Sequence, residues 1–502
     1  MEDKDLDEAR AWRIAFAFVA VLTVLRLAVL FITPLELYPD EAQYWLWSRN
    51  LDFGYFSKPP MIAWLIAATT SISNDEAFVR LAAPLLNAGT ALALYGVGTK
   101  LYGTRTGLAA CAIYSLMPGI QLASAVITTD TPLLLFLSLA LLSYVTLQAK
   151  RSLPAALGLG VALGLAMLSK YAASYAVAAI VLHLIVSKEA RQAWRWQTAL
   201  TAITAFLVVL SPNLIWNAQH HFSTVEHTAS NAHWSSQLGG LTELGDFLGS
   251  QFGVFGPVPF AVLIGGATVL AFRKRLTKED VLLLCFALPP LLVVAAQAFI
   301  SRSNANWAAS AYVAGSVLAA AWLIRWRAKW WLIGGLGLQA VVAALFLMWA
   351  AFPQTADAMG MSNSFKRARG WSQTVDAIVN RARREPGLTA VAVDDRFLFN
   401  TAAYYGRDYF GRPGSPPLRM WVSGAVAGNQ AEAEAPLTPA LGGRVLAASL
   451  EGVYRDRMAA DFARAEVVEI SRVRLDRKRT RRVELLMGEG FSPQPRTPPP
   501  SS

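Results

Sequence analysis

A polar segment follows the first apolar run of the chain, where residues 37–66 read LYPDEAQYWLWSRNLDFGYFSKPPMIAWLI. Asp40 and Glu41 are adjacent in it, Lys58 precedes two prolines, and aromatic residues lie between these groups. An aromatic belt at a membrane surface explains the tryptophans and tyrosines. It does not explain paired carboxylates, which are costly near hydrocarbon unless they are paired or used. The segment therefore predicts a functional site at the membrane surface.

The rest of the chain is dominated by apolar runs. Of 502 residues, 54% are hydrophobic and 16% are charged, and the mean hydropathy is +0.38, which is typical of a multi-pass membrane protein. The two cysteines, Cys111 and Cys285, lie inside apolar runs and indicate no disulfide framework. Lys170 divides one long run into two spans, because a charge in its middle would lie deep in hydrocarbon. With a span length of roughly 20 residues, we predict about eleven spans, near residues 12–33, 77–98, 107–125, 131–147, 153–168, 174–187, 198–216, 256–272, 281–300, 307–324 and 331–352.

The basic residues predict the orientation of these spans. With the N-terminus in the cytoplasm, most Lys and Arg fall on the cytoplasmic ends, and the opposite connections carry only Arg49, Lys58, Lys170 and Arg302. The acidic N-terminus precedes a full-length span, so we expect no cleaved signal peptide. The net charge of +11 is explained by this topology and a basic outer domain, and requires no nucleic acid. The pattern predicts an outer location for residues 34–74, 126–130, 217–255, 301–306 and everything after about 353.

The chain is predicted to have two domains. Residues 1–352 form an all-α membrane bundle. The polar sequence after Phe352 contains TAVAVDD and GRVLAASL, which are typical of short strands, SQTVDAIVNRARREP, typical of a helix, and VVEISRVRLDRKRTRRVELLMG, typical of a hairpin. We therefore predict a small α/β domain over residues 353–490. A Pro- and Ser-rich tail, predicted to be disordered, covers residues 491–502.

Three motifs together resemble those of lipid-linked sugar transferases with the GT-C fold. DEAQYW…YFSKPPMIAWL is similar to their first outer loop. VITTDTPLLLFLSLAL is similar to the second, where an acidic residue, here Asp130, opens the fourth span. GLAMLSKYAA is similar to the Gly-Leu…Ser/Thr-Lys turn of the family and contains Lys170. The resemblance is to the bacterial branch of glycosyltransferase family 39, related to protein O-mannosyltransferases and aminoarabinose transferases, and covers roughly residues 1–352.

The resemblance implies a donor sugar joined through phosphate to a polyprenyl chain. The chain lies among the membrane lipids, and the sugar phosphate lies at the outer interface. A leaving phosphate needs positive charge where negative charge develops. Lys58 and Lys170 are the outer-face cations best placed to supply it, with Arg302 as a third. The alternatives are a lysine that snorkels at a turn for Lys170 and a solvated loop charge for Arg302.

The same resemblance implies an acceptor hydroxyl that attacks in a single inverting step. Its proton needs a carboxylate base on the opposite face of the anomeric carbon, and Asp40 is the first choice. Glu41 and Asp130 would orient the acceptor, hold a metal or stabilise an oxocarbenium-like sugar. Asp130 has an equal alternative as a helix N-cap before Thr131 and Pro132.

Several further residues are assigned by their position. Arg80, at the start of a predicted span, is expected to pair with Asp75 or Glu76. The residues expected to line or support the substrate cavity are Tyr44, Tyr55, Phe56, Pro59, Asn217 and Trp307.

A divalent metal is a candidate cofactor, because some relatives hold one near the site. In aminoarabinose transferases a Glu stands before the lysine of Lys-Pro-Pro, whereas Ser57 occupies that position here. The histidines of the outer loop match no standard metal motif. We therefore interpret them as ordinary polar residues of the loop, and predict no metal site and no certain cofactor. These histidines are His220, His221, His227 and His233.

The sequence as a whole predicts a glycosyltransferase of the bacterial inner membrane, with its C-terminal domain in the periplasm. It would move one sugar from a polyprenyl-phosphate donor to a glycolipid or polysaccharide of the cell envelope. Protein is the alternative acceptor. A transporter of lipid-linked sugars is the alternative class, but transporters usually gather polar residues near the membrane midplane, whereas here they gather at the outer edge.

Overall fold

The structure, a computed structural model, describes residues 7–220, 222, 224, 240–301 and 303–496. The membrane part is helical in this range. Its helices are α1 (Glu8–Ile32), α2 (Pro39–Trp47), α3 (Met61–Thr70), α4 (Glu76–Arg80), α5 (Ala82–Tyr102), α6 (Thr104–Leu116), α7 (Pro118–Ala125), α8 (Asp130–Lys150), α9 (Leu153–Ser169), α10 (Ser174–Val186), α11 (Lys188–Ala193), α12 (Trp196–Gln219), α13 (Leu241–Val254), α14 (Pro257–Phe272), α15 (Lys278–Ile300), α16 (Ala311–Arg325) and α17 (Lys329–Ala351).

Six of the described helical segments are long and apolar enough to cross a membrane: α1, α4 with α5, α8, α12, α15 and α17. Two bent pairs, α6 with α7 and α13 with α14, raise the number to eight if each pair is one span. Helices α9, α10 and α16 coincide with the remaining predicted spans but have only 17, 13 and 15 residues. The chain is a multi-pass membrane protein, and the exact count of eleven stays a prediction.

Small residues bring neighbouring membrane helices close together. A Cβ atom added to Gly98 of α5 would lie 2.8 Å from the Cα atom of Gly107 in α6. Gly160 of α9 similarly faces the backbone carbonyl of Ala202 in α12 and has no room for a side chain. Close backbone approach increases van der Waals contact, which drives helix association where lipid is as apolar as the side chains.

The C-terminal domain is a five-stranded sheet covered by helices. The strand order is β2-β1-β3-β5-β4; β1 is parallel to β2 and β3, whereas β5 is antiparallel to both β3 and β4. Its strands are β1 (Ala390–Val393), β2 (Leu418–Met420), β3 (Arg444–Leu450), β4 (Phe462–Arg474) and β5 (Thr480–Phe491). Its helices, including the linking α18, are α18 (Pro353–Ala358), α19 (Trp371–Arg384), α20 (Arg396–Tyr405), α21 (Arg407–Phe410), α22 (Gln430–Glu434) and α23 (Arg455–Ala459). The predicted fold, an all-α membrane bundle with a small α/β domain, is confirmed.

The predicted disordered tail begins too early. Phe491 is buried and ends strand β5, where it pairs with Phe462. Arg496 forms an ion pair with the buried Asp461 and lies over the Trp421 ring, 5.1 Å from its centroid. Residues 491–496 therefore belong to the domain. The buried carboxylate of Asp461 needs a charged partner, and Arg496 supplies it. Residues 497–502 lie outside the described residues.

The first outer segment, the stretch of residues 34–74 predicted to lie outside, connects the two domains. Glu36, just after α1, accepts hydrogen bonds from the backbone N–H groups of Trp371 and Ser372. These groups begin α19, and a carboxylate is favourable at the positive end of a helix. Tyr405 of α20 donates its hydroxyl to Glu76 and accepts the N–H of Leu37. The C-terminal domain is thus fixed on the same segment that contains Asp40 and Lys58.

Candidate active site

Glu41 lies inside the protein and is fully buried. It occupies the first turn of α2, where its carboxylate accepts the N–H of Tyr38 at 2.9 Å. Arg80 Nη2 lies 2.7 Å from Glu41 Oε2, and the N–H of Ile127 donates to Oε1 at 2.9 Å. These contacts tie α2 to α4 and to the loop before α8. The interior contacts use both oxygens of Glu41 and hold its carboxylate away from the outer surface.

Arg80 makes the remaining contacts of this buried pair. Its guanidinium also donates to the carbonyl oxygens of Leu35 and Glu36, at 2.9 and 2.7 Å. The predicted pairing of Arg80 with Asp75 or Glu76 is wrong. Since the side chain points back along the chain to the start of the outer segment, it meets Glu41 instead.

Asp40 has a different environment from its neighbour. Half of its side chain is exposed, and Oδ1 lies 4.0 Å from Arg396 Nη2, at the start of α20 in the C-terminal domain. Tyr44 follows one helical turn later and is buried. Burial raises the pKa of Tyr44 well above its usual value, and the negative charges of Asp40 and Asp130 raise it further. An exposed carboxylate beside a phenol that stays protonated can accept a proton from a bound hydroxyl.

Lys58 is held in a tight turn between α2 and α3. The N–H of Tyr55 donates to the Lys58 carbonyl at 3.0 Å. The Tyr55 ring stacks on Trp47 with 4.7 Å between centroids, and its hydroxyl donates to the carbonyls of Trp47 and Asn50. Burial lowers the pKa of Lys58, and the positive charge of Lys170 lowers it further. A partly desolvated lysine next to a second cation is well suited to bind an anion.

Asp130 and Lys170 meet because α8 and α9 form a helical hairpin. A connection of two residues, 151–152, joins the helices. The start of α8 therefore lies beside the end of α9, although 40 residues separate the two side chains. Lys170 Nζ lies 2.7 Å from Asp130 Oδ1, and Asn306 donates to Oδ2 at 2.8 Å. Asp130 is the first helical residue rather than the N-cap, and its carboxylate orients Lys170 and Asn306.

A cavity of about 400 Å³ lies next to these charges. Lys58 and Lys170 form its basic end, and Val293 and Val294 of α15 form part of its apolar wall. Pro59 and Trp307, which the sequence places at the substrate cavity, line it together with Tyr171, Tyr175 and Gln297. A cavity with cations at one end and apolar side chains beside them suits an amphipathic anion.

The other predicted cavity residues lie around this site. Asn217 is buried and donates to the hydroxyl of Tyr171, so it supports the wall from behind. Tyr55 lines a second cavity between the two domains. The N–H of Phe56 donates to Gln430 of the C-terminal domain at 3.4 Å. Arg302 lies outside the described residues.

The described residues of the site do not form a metal centre. Within the described part of the chain, no group of three His, Cys, Asp or Glu side chains could hold one. The oxygens of Asp130 are used by Lys170 and Asn306, and Ser57 stands where a carboxylate ligand would be expected. The ring of His220 stacks on Trp216 with 4.0 Å between centroids. His221, His227 and His233 lie outside the described residues.

Two residues that contact the carboxylates of the site were not identified from the sequence, nor were the cavity residues Tyr171, Tyr175 and Gln297. Arg396 comes from the C-terminal domain, and Asn306 precedes α16. Neither has a local pattern that marks it, because each reaches the site only through the packing of elements far apart in the sequence.

The fold and the site together define a class. A multi-pass helical bundle with a C-terminal α/β domain holds two lysines at an amphipathic cavity and an exposed carboxylate whose charge acts on one of them. This arrangement suits a membrane-embedded transferase that acts on a lipid-linked phosphate, because such a reaction needs a base and cations for the leaving group.

Comparison with known proteins identifies the family. The model of the family described as dolichyl-phosphate-mannose-protein mannosyltransferase matches residues 57–216. Lipid A galacturonosyltransferase RgtD of Rhizobium johnstonii is 34% identical over 398 residues, 79% of this chain and 83% of that protein. Lipopolysaccharide core galacturonosyltransferase RgtA of the same organism is 27% identical over 213 residues, which are 41% of this chain and 42% of that protein.

Solved structures show the same fold. ArnT from Cupriavidus metallidurans in the apo state matches with a TM-score of 0.64 at 18% identity, covering 95% of this chain and 98% of that one. Its structure bound to undecaprenyl phosphate matches with the same TM-score over 94% of this chain. The chain belongs to the GT-C glycosyltransferases of the family 39 type, and it is a membrane glycosyltransferase.

Proposed function

We propose that this enzyme transfers one galacturonosyl residue from a polyprenyl phosphate to lipid A, with inversion, at the outer face of the inner membrane. The carrying observation is the exposed carboxylate of Asp40, whose negative charge acts on Lys58 at the basic end of an amphipathic cavity. The identity of the sugar and of the acceptor is supported by the 34% identical relative, which is a lipid A galacturonosyltransferase. The undecaprenyl phosphate bound to ArnT supports the class of donor.

The proposed mechanism uses the two sides of the anomeric carbon. Lys58 and Lys170 bind the donor phosphate, and their charge stabilises the negative charge that develops on it. Asp40 accepts the proton of the acceptor hydroxyl as that oxygen attacks the anomeric carbon. The new bond joins the acceptor oxygen to the anomeric carbon, while the bond to the phosphate oxygen breaks. The products are glycosylated lipid A and polyprenyl phosphate, and the proton stays on Asp40 until water removes it.

Asp130 has a positioning role in this proposal. Its carboxylate orients Lys170 and Asn306 through two hydrogen bonds. Because the Lys170 ammonium is already oriented, the site needs less reorganisation as negative charge develops on the leaving phosphate.

The orientation in the membrane is proposed from the distribution of basic residues. The cytoplasmic ends carry residues such as Lys150, Arg151, Arg273, Lys274 and Arg275. The site and the C-terminal domain then face the periplasm, where the headgroup of lipid A is accessible.

Mass spectrometry tests the function. Lipid A isolated from cells with the gene should carry one hexuronic acid residue more than lipid A from cells without it. Purified enzyme in detergent should transfer label from a polyprenyl-phosphate galacturonate to lipid A. Label on protein would instead support the protein acceptor that the family description names. Label that crosses vesicles without being transferred would support a transporter.

A further inference from the structure

A second cavity, of about 310 Å³, lies between the first outer segment and the C-terminal domain. Helix α2 forms one wall and α20 forms the facing wall. Its volume is at the lower end of the range for small-molecule sites, roughly 300–1,000 Å³. The cavity is separate from the cavity of Lys58 and Lys170, and the turn of residues 55–58 stands between them, with Tyr55 on one and Lys58 on the other.

Two buried carboxamides line this cavity without partners. Gln43 is 7% exposed and Asn400 is 3% exposed. Within the described part of the chain, neither side chain makes a hydrogen bond, although both amides have two donors and two acceptor positions. Their nitrogen and oxygen atoms are not among the fully enclosed polar atoms that lack a partner, so they reach the cavity. Carboxamides from two domains that both open to one cavity, and that the described protein does not use, therefore suit a ligand with hydrogen-bonding groups.

Arg396 adds positive charge to the same cavity. It lies one helical turn before Asn400 on α20, so both side chains share a face of the helix. Its guanidinium makes no hydrogen bond to the described residues and lies 4.0 Å from Asp40. Asp40 in turn precedes Gln43 by three residues on α2, again on one face. The cavity therefore opens at the carboxylate that is proposed as the base.

We infer that this interdomain cavity binds the saccharide headgroup of the acceptor, with its hydroxyls on Gln43 and Asn400 and an anionic substituent on Arg396. The inference rests on the proposed function for the reaction itself. In an inverting displacement the acceptor and the leaving phosphate lie on opposite sides of the anomeric carbon. Because Lys58 and Lys170 bind the phosphate in the first cavity, the acceptor approaches from the side of Asp40 and Arg396, where the second cavity lies.

The role of the C-terminal domain follows from this placement. The domain contributes Arg396 and Asn400, while the membrane domain contributes Gln43 and Asp40. The acceptor is thus recognised by the junction of both domains, and the donor by the membrane domain.

Initial-rate kinetics of the full-length enzyme in detergent test the inference, with each substrate varied while the other saturates. Gln43→Leu and Asn400→Leu each remove one carboxamide from a different domain. Each should raise the KM for the lipid acceptor about tenfold and leave the KM for the donor within about twofold of wild type. The matched control is Asn380→Leu on the exposed side of α19 in the same domain, which should change neither constant.

A binding measurement separates this inference from the proposed reaction. The deacylated headgroup of lipid A, titrated calorimetrically into wild-type enzyme, should bind, and both leucine variants should weaken that binding about tenfold. If the headgroup binds but the enzyme transfers nothing to lipid A, the proposed function is wrong and the acceptor site stands. An unchanged acceptor KM in an active, folded Gln43→Leu or Asn400→Leu variant would overturn the site, as would a rise in donor KM alone. If one variant fails to fold, the other decides, since they lie in different domains.

Discussion

Arg80 Nη2 lies 2.7 Å from Glu41 Oε2 in the interior of the protein, whereas the adjacent Asp40 is half exposed at the outer surface. Neighbouring residues of a helix point about 100° apart, since 3.6 residues make a turn. The Asp-Glu pair of the first outer segment therefore has two separate tasks. Glu41 fixes α2 against α4 and the loop before α8, and this fixes the position from which Asp40 reaches a substrate.

The first prediction concerns the stability of this buried pair. Glu41→Gln leaves the Arg80 charge buried without a counter-charge and should cost about 3–5 kcal/mol of unfolding free energy. Thermal unfolding of the protein in detergent should show a clear fall in Tm. The neighbouring Asp40→Asn is the matched control and should leave Tm unchanged. A Glu41→Gln protein with wild-type Tm and no activity would instead give Glu41 a catalytic role.

The second prediction concerns the proposed base. Asp40→Asn keeps the shape of the side chain but removes its ability to accept a proton. Transfer should fall by about 10²–10⁴-fold, the range that general acid–base catalysis contributes, while the KM for the donor stays near wild type. The measurement is the rate of transfer to lipid A at saturating donor. Near-normal transfer would mean that the attacking oxygen is already ionised, as in a phosphate, or that Asp130 is the base.

The third prediction concerns the donor phosphate. Lys58→Ala removes a contact that exists both before and during the reaction, so the KM for the donor should rise and kcat should fall with it. Burial lowers the pKa of Lys58, so its ammonium is easier to deprotonate. As the pH is raised, donor binding should therefore begin to weaken at a lower pH than expected for a free lysine. Lys278→Ala, an exposed lysine at the start of α15, is the control and should change neither constant. An unchanged donor KM in Lys58→Ala would show that Lys58 does not bind the donor phosphate.

Much of the membrane fold was predictable, because apolar runs and basic ends are local properties of the sequence. The strands β1 and β3, the hairpin of β4 and β5 and helix α19 were predictable for the same reason, since each shows its own periodicity. The three-residue strand β2 (Leu418–Met420) is too short to show an alternation and was not predicted.

The candidate site was predictable only in part. Asp40, Lys58, Asp130 and Lys170 stand in motifs, and the short connection between α8 and α9 is enough to bring the last two together. The partner of Arg80 was not predictable from sequence distance, since Glu41 precedes it by 39 residues while Asp75 and Glu76 are nearby. Side-chain direction in the folded segment decides that pairing.

The fourth prediction concerns topology. A reporter that is active only outside the cytoplasm should be active when fused after residue 355, and inactive when fused after residue 275. Fusions with a cytoplasmic reporter at the same two positions should give the opposite pattern and serve as the control. If both reporters invert, the proposed orientation is wrong, and Asp40, Lys58 and Lys170 face the cytoplasm.

The fifth prediction concerns Asp394, which directly follows strand β1. It is 4% exposed and accepts hydrogen bonds from the Ser449 hydroxyl and the N–H of Leu450. Burial raises the pKa of Asp394 from 3.8 to about 6. The folded protein therefore binds a proton more tightly than the unfolded chain does. The stability of the domain should fall as pH rises from about 4 to about 6, by about 3 kcal/mol in total, and this contribution should stay constant at higher pH.

Asp394→Asn isolates this contribution, because the amide cannot ionise. The measurement is the hydrogen-exchange protection of the amides in β1 and β3. Between pH 4 and pH 7 this protection should fall in wild type relative to the variant, so the difference in protection between the two proteins should grow with pH. Exposed Asp376 of α19 provides the control, since Asp376→Asn should leave the pH dependence of wild type intact. A difference between wild type and Asp394→Asn that is independent of pH would show that Asp394 is already ionised at pH 4, with its two hydrogen bonds outweighing the cost of burial.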